Sequence, residues 1–251
     1  MLRVSAMAAF SRRTFLALVA VLPQMACGER VLAVGDARFR VFDRGASPRR
    51  YIHIHGNEAT ARVALGDHVR KRQGRSFFVV GDERNVGVEG LQIDPNRMFS
   101  RMGAEASLKR LNPAASEQSI QRALAALDRD LPSLLSALLP PPGGLLVSVH
   151  NNSQGYNIRA EIPISDAHHL PKPGEPNDFF LATDARDFAG LRGSTYNAVL
   201  QATPATDDDG SLSRLCASKG VRYVNLECYA GRLAMQREML AWLDESLPER
   251  R

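Results

Sequence analysis

From residue 50 onward, short apolar runs of β type alternate with stretches of helical periodicity, and few architectures accept that order. The runs are Tyr51–Ile54, Ser76–Val80, Leu145–Val149, Phe179–Ala182, Asn197–Gln201 and Val221–Leu226. Each is too short for a buried helix. Helical patterns separate them, from about Ala59 to Lys71, from Ser116 to Leu139, from Asp184 to Leu191, from Ser211 to Ser218 and from Gly231 to Leu247. The alternation predicts a single α/β domain with a mixed, mostly parallel central sheet and helices on both faces. A chain of 251 residues with 44% apolar content can bury the core such a domain needs. No internal repeat is present.

Local signals refine the picture. Arg30–Gly35 and Arg38–Arg44 alternate apolar and polar residues around Gly35-Asp36-Ala37, which predicts a hairpin ahead of the alternating region. The apolar stripe Ile120, Leu124, Leu127, Leu131, Leu134, Leu135, Leu138 belongs to a core-facing helix that Pro132 is expected to kink or split. Asp82 to Gly90 reads as a loop, and Pro95 predicts a fixed, extended turn over Leu91–Phe99. Pro140 to Gly144 is a turn too short for a domain linker. Asn151 to Pro176, rich in Asn, Pro and Gly, reads as a long irregular segment, a type that is usually functional. His168-His169 lies within it and is expected in a solvated loop.

The first 26 residues differ from the rest. Ser11-Arg12-Arg13-Thr14-Phe15-Leu16 precedes the apolar Ala17 to Leu22, a charged region followed by a hydrophobic one too short to span a bilayer. The paired arginines before Phe-Leu resemble the twin-arginine export signal of bacteria, which implies the twin-arginine export machinery as a partner and a periplasmic destination. Residues 1–26 are therefore assigned to the signal and 27–251 to the single domain that follows it. Cys27 directly follows Ala26, so a lipoprotein anchor is an alternative, although Gln24-Met25-Ala26 departs from the usual Leu-x-small pattern. Membrane association is expected only through these features. The formal charge is +5, but Arg3, Arg12 and Arg13 lie in this segment, and without them it falls to +2. The remaining basic residues are interspersed with acids, which argues against nucleic-acid binding. Cys216 and Cys228 could form a bridge in an oxidising compartment or remain as two buried thiols.

Chemistry concentrates where apolar runs stop. Tyr51–Ile54 ends in His55-Gly56-Asn57-Glu58, just before a helix. An imidazole and a carboxylate three residues apart can reach one divalent ion across such a turn, and zinc accepts this donor set. His150 and Glu227 likewise follow apolar runs. Strand ends of a parallel sheet lie along one edge, so the three positions share a topological address where ligands bind. His53 alternates with His55, faces the other side of the sheet and is read as structural.

His55-Gly56-Asn57-Glu58 resembles the His-x-x-Glu zinc motif of the zinc carboxypeptidases, in wording nearest the succinylglutamate desuccinylase and aspartoacylase branch. Asp94-Pro95-Asn96-Arg97 resembles that family's Asn-Arg pair, His150 to Gln154 its segment with the third zinc ligand, and Val224 to Glu227 the strand carrying its general base. The resemblance implies one Zn²⁺ held by His55, Glu58 and His150, with Glu227 as the base. It also implies Asn96 and Arg97 as the grip on a substrate carboxylate, and an arginine that stabilises the oxyanion, for which Arg84 is the candidate. The carboxypeptidases' mobile Tyr has no counterpart in Gln201 to Asp208; Tyr156 or Tyr196 is the substitute considered. The residues after Glu227 are not expected to form the extra β domain usual in the aspartoacylase branch. The implied activity is a zinc metallocarboxypeptidase-like hydrolase cleaving an amide beside a free carboxylate in short or peptidoglycan peptides. The alternatives are a deacylase of N-acyl amino acids and an inactive peptide-binding relative.

Overall fold

The predicted hairpin forms one flank of a nine-stranded sheet. Strand β1 (Glu29–Val34) pairs antiparallel with β2 (Ala37–Arg44), which in turn pairs antiparallel with β4 (Gly74–Val79). β3 (Arg50–His53) lies between β4 and β7 (Leu146–Asn152), parallel to both, and β7 pairs parallel with β11 (Tyr223–Tyr229). Beyond β11 come β9 (Phe179–Ala182), β10 (Asn197–Leu200) and the short edge strand β8 (Ala167–His169), giving the order β1-β2-β4-β3-β7-β11-β9-β10-β8. The centre is parallel, and the flanks carry the antiparallel pairings. This computed structural model describes residues 29–153, 155–204 and 206–250. The export signal, Cys27 and Gln154 lie outside the described residues.

Helices cover both faces. α1 (Ala59–Val69), α5 (Ala185–Leu191) and α7 (Leu233–Ser246) pack on one, over Tyr51, Val147, Val149, Phe180, Val224 and Leu226. α2 (Arg101–Leu111), α3 (Glu117–Leu138) and α6 (Leu212–Lys219) pack on the other, over Phe39, Ile52, Phe77, Leu146 and Tyr223. Neighbouring residues on each strand enter opposite cores, as the pleat requires. On the second face the apolar character stops after Leu146 and Tyr223. Polar residues take over as β7 and β11 continue: Ser148, His150 and Asn152 on one strand, Asn225 and Glu227 on the other. Among the described residues no helix is long and apolar enough to cross a membrane.

Several elements depart from expectation. α3 runs unbroken through Pro132. Pro132 and Asp128 are both exposed, so water can serve the carbonyl that proline leaves without a donor. The segment read as a loop after Gly81 contains a two-stranded hairpin, β5 (Val86–Val88) with β6 (Leu91–Ile93). Pro95 opens a single 3₁₀ turn, Pro95–Arg97, where an extended turn was expected, and Asp94 caps it by accepting from the Asn96 amide at 2.9 Å. His168 and His169 sit in β8, paired antiparallel with β10, and not in a loop. α4 (Ile158–Glu161) also falls inside the segment expected to be irregular. Helix α2 has little periodic signal because Gly103 interrupts it. The glycine is needed there, since a Cβ would stand 2.3 Å from the Gly210 nitrogen. Gly210 itself has φ +75°, and a Cβ on it would meet the Arg97 carbonyl at 2.3 Å. Cys216 and Cys228 are buried free thiols. The stripe from Ile120 to Leu138 is core, and Trp242 stacks on Phe180 with ring centroids 6.0 Å apart.

Candidate metal centre and substrate cavity

The residues at the ends of β3, β7 and β11 converge. Ligand atoms of His55, Glu58 and His150 lie within 4.8 Å of one another, and all three side chains are buried. Glu58 stands between the imidazoles: Oε1 is 2.8 Å from His55 Nδ1, and Oε2 is 3.2 Å from His150 Nδ1. The far nitrogen of His55, Nε2, lies 2.9 Å from Asp94 Oδ1. With Nε2–H donating to Asp94, the tautomer leaves Nδ1 as a lone-pair donor facing Glu58. Metal-ligating histidines show this arrangement, a carboxylate behind the ring fixing its orientation. Two imidazoles and a carboxylate are also the donor set that zinc takes in catalytic sites. The residues therefore fit a divalent metal.

The local sequence explains the placement. β3 ends at His53, and the chain turns through Gly56, where a Cβ would come within 2.6 Å of the carbonyls of Gly81 and Glu83. Glu58 then sits at the start of α1. His150 and Glu227 do not follow their strands, as the apolar runs suggested, but lie within them, because β7 and β11 pair through Asn152 and Tyr229. The pairing sets Glu227 opposite His150 on the same face. Gln236 of α7 donates to the His150 carbonyl at 2.8 Å, and the Asn151 amide donates to Glu58 Oε2 at 3.1 Å.

Electrostatics follow from these contacts. Burial would raise the Glu58 carboxyl, but the imidazoles of His150 and His55 outweigh it and hold the group well below the usual carboxylate range. Asp94 behaves alike: burial raises it, while His55 and Arg84 bring it down further. Burial would lower the His55 imidazole, yet its two carboxylate partners leave it raised. Glu227 goes the other way. Burial dominates and lifts it, although His150 and the donors Asn225 Nδ2 (3.1 Å) and Asn152 Nδ2 (3.2 Å) pull against that. His53, buried behind the site and 3.1 Å from the Glu58 carbonyl, is pushed down to about 4, chiefly by burial.

These groups open into a cavity of about 800 Å³. Arg84 reaches it half exposed, 3.3 Å from Glu58 Oε1 and 3.3 Å from Asp94 Oδ2. Asn96 and Arg97 also line it, with Asn96 Oδ1 accepting from the Leu212 amide at 3.0 Å and Arg97 3.5 Å from Asp209. Tyr156 lines the cavity and donates to Glu161 at 2.7 Å. Tyr196 does not; it packs against Phe180 and Trp242 in the other core. Reading strand ends alone passes over Asn152 and Asn225, which hold Glu227. Their signal is the period of two: each lies two residues from a proposed site residue on the same strand face. Glu161 and Gln201, from the irregular segment and the end of β10, have no such signal.

No protein-family model and no curated protein matches the chain. Solved structures do. The ectoine utilization protein EutE from Ruegeria pomeroyi is 17% identical over 82% of this chain and 59% of its own, with a TM-score of 0.43. An aspartoacylase family protein from Mesorhizobium loti is 17% identical over 88% and 66%, with a TM-score of 0.41. The murein-tripeptide amidase MpaA from Escherichia coli O157 is 15% identical over 81% and 86%, with a TM-score of 0.40. This chain thus spans under two thirds of the length of the first two.

Proposed function

We propose that the protein is an exported zinc-dependent hydrolase that cleaves an amide bond beside a free carboxylate, with short or cell-wall peptides as substrates. One observation carries the reading: His55, Glu58 and His150 present ligand atoms within 4.8 Å of one another, and Glu227 lies in register with His150 and lines the same cavity. Zinc held by those three residues would supply Lewis acidity, bringing the pKa of water to near 7 and polarising a carbonyl oxygen. Glu227 takes the proton from the attacking water and returns it to the leaving amine. Asn225 and Asn152 hold its two oxygens in place, one each. Arg97, a planar fork of donors, binds the substrate carboxylate, and Gly210 lets the chain pass close behind it. Arg84, half exposed beside the metal ligands, is placed to meet negative charge developing on the carbonyl oxygen. Export and a periplasmic location rest on Arg12-Arg13 and the apolar stretch after them.

Metal stoichiometry on the purified protein, combined with product analysis on muropeptides, short peptides and N-acyl amino acids, tests the reading. One equivalent of zinc with amino-acid release from peptides is the expected result. Turnover of N-acyl amino acids alone would reassign it as a deacylase. Absence of bound zinc would leave a peptide-binding relative.

A further inference from the structure

The sheet face under α1, α5 and α7 is covered only in part. Its core draws on β3, β7, β9, β10 and β11, but on no residue of β1 or β2. Where an antiparallel flank shows one face to water, its residues should alternate apolar inward and polar outward. The inward residues obey: Phe39, Val41, Phe77 and Val79 are buried in the other core. Several outward ones do not. Phe42 and Phe78 are only half-buried, with ring centroids 6.0 Å apart, and Val80 is 51% exposed. These three join Val69 of α1 to line a cavity of about 490 Å³, which shares no lining residue with the cavity over the proposed metal ligands. Its size is that of a small-molecule site.

The charge around this cavity is one-sided. Arg40 and Arg44 border it on β2, Arg62 and Arg70 on α1, and no aspartate or glutamate is among the described residues that line it. Two acids stand outside the lining: Asp67 is shared between Arg70 and Arg237, and Asp82, the partner of Arg62, is 88% exposed. Arg40 lies over the Phe42 ring, 5.3 Å from its centroid. A second copy of this chain docked here would set arginines against arginines, an unfavourable pairing. A flat membrane surface would leave the floor of a concavity unfilled. A flexible alkyl chain fills it, and the aliphatic stems of the arginines extend the apolar bed. We propose that this cavity binds a single-chain fatty carboxylate. The alkyl chain lies on Phe42, Phe78, Val69 and Val80, and the carboxylate meets the guanidinium border, whose planar forks match it. The site is independent of the hydrolase reading.

Calorimetry on the purified protein tests this with octanoate, decanoate and laurate below their micelle concentrations, and with dodecyltrimethylammonium, a tail like that of laurate under a cationic head. The expected result is one equivalent of laurate, with affinity rising about two- to fourfold per methylene from octanoate. The cationic amphiphile should bind on the order of 100-fold more weakly. V80D places a carboxylate on the apolar bed at an exposed position, so the protein should melt as the wild type does and lose laurate affinity on the order of 100-fold. R40Q/R44Q changes two exposed residues and should weaken laurate about 10-fold. H150A should keep the laurate equivalent. Failure to bind laurate overturns the proposal, as does equal binding of the cationic amphiphile. Laurate binding that persists in V80D and disappears in H150A would belong to the other cavity and also overturns it. Sedimentation with anionic vesicles by a protein that takes up no free laurate would overturn it in favour of a membrane-facing surface.

Discussion

His150 and Glu227 lie directly opposite each other across the parallel pairing of β7 and β11, side chains on the same face. A proposed ligand and a proposed base far apart in sequence are thereby held at a distance set by the backbone ladder, not by side-chain flexibility. Removing the carboxylate charge at 227 should leave the ligand set intact. E227Q is expected to bind one zinc and to lose about 10²- to 10⁴-fold in kcat, the usual range for a positioned general base. Metal analysis beside steady-state kinetics checks both parts. Near-wild-type turnover would remove Glu227 from the reaction.

A metal bound there should also stabilise the fold, because the proposed ligands come from two separated segments, one holding His55 and Glu58 and the other His150. At zinc concentrations 100 times the dissociation constant, binding to the native state alone adds about 2.7 kcal/mol. Thermal unfolding with chelator and with added zinc should show that increment in the wild type. H150A should melt at the same temperature under both conditions, since one of three ligands is gone. An equal zinc response in H150A would place the metal elsewhere.

Much of this was readable in advance, and the limits are physical. Tyr51–Ile54 and Leu145–Val149 announce themselves because strands buried on both faces read as nearly continuous apolar runs, interrupted here only by His53 and Ser148. The polar residues that follow such a run mark an edge of the sheet. Apolarity could not show that β7 and β11 pair on past those runs to Asn152 and Tyr229, because there one face of the sheet becomes polar. α2 and β8 were hidden for related reasons. Gly103 answers to a backbone crossing from another part of the chain, and His168-His169 pairs on an edge where no apolar face is required. Glu161 owes its place to the turn Ile162–Ile164 and to Gln201, forty residues on, a contact that no local pattern encodes.

Asp94 performs two tasks, capping the turn that carries Asn96 and Arg97 and accepting from His55 Nε2. D94A should therefore lower zinc affinity by about 10- to 100-fold, the usual effect of losing the partner behind a ligating imidazole. It should raise KM as well, because the turn under Arg97 loosens. Competition with a chromogenic chelator gives the first quantity, and kinetics at saturating zinc gives the second. Unchanged zinc affinity would mean that His55 is oriented by Glu58 and packing alone.

Burial lifts the Glu227 carboxyl above the ordinary carboxylate range, against the pull of His150, Asn225 and Asn152. A base acts only when deprotonated, so activity should be lost as pH falls through that raised value. The acid limb of kcat/KM should accordingly lie above the range of a solvated glutamate. N225L removes the donor to Oε1, which favours the protonated form, so its limb should move to higher pH. A limb that stays fixed in N225L, with zinc content unchanged, would assign the titration to another group.

Far from the cavity, the Arg222 guanidinium meets Asp187 through two contacts, Nε to Oδ2 at 2.9 Å and Nη2 to Oδ1 at 2.7 Å. Asp187 is 1% exposed. Arg222 also donates to the Gly143 carbonyl at 2.6 Å, so the pair fastens the start of β11 to the turn before β7. R222M leaves a buried carboxylate with only Arg250 nearby, and breaking such a pair costs about 3–5 kcal/mol. For a domain of this size each kcal/mol shifts Tm by about 2–4 °C, so a fall of about 10 °C is expected. D187L/R222M removes both charges and should recover much of the loss, because the desolvation penalty disappears along with the attraction. Arg222 stands five residues before Glu227, about 16 Å along an extended strand. Zinc content and kcat of the folded R222M protein should therefore match the wild type. A melting temperature within 2 °C of wild type would show that the pair contributes little, and a fall in kcat would show that strain at the start of β11 reaches the base.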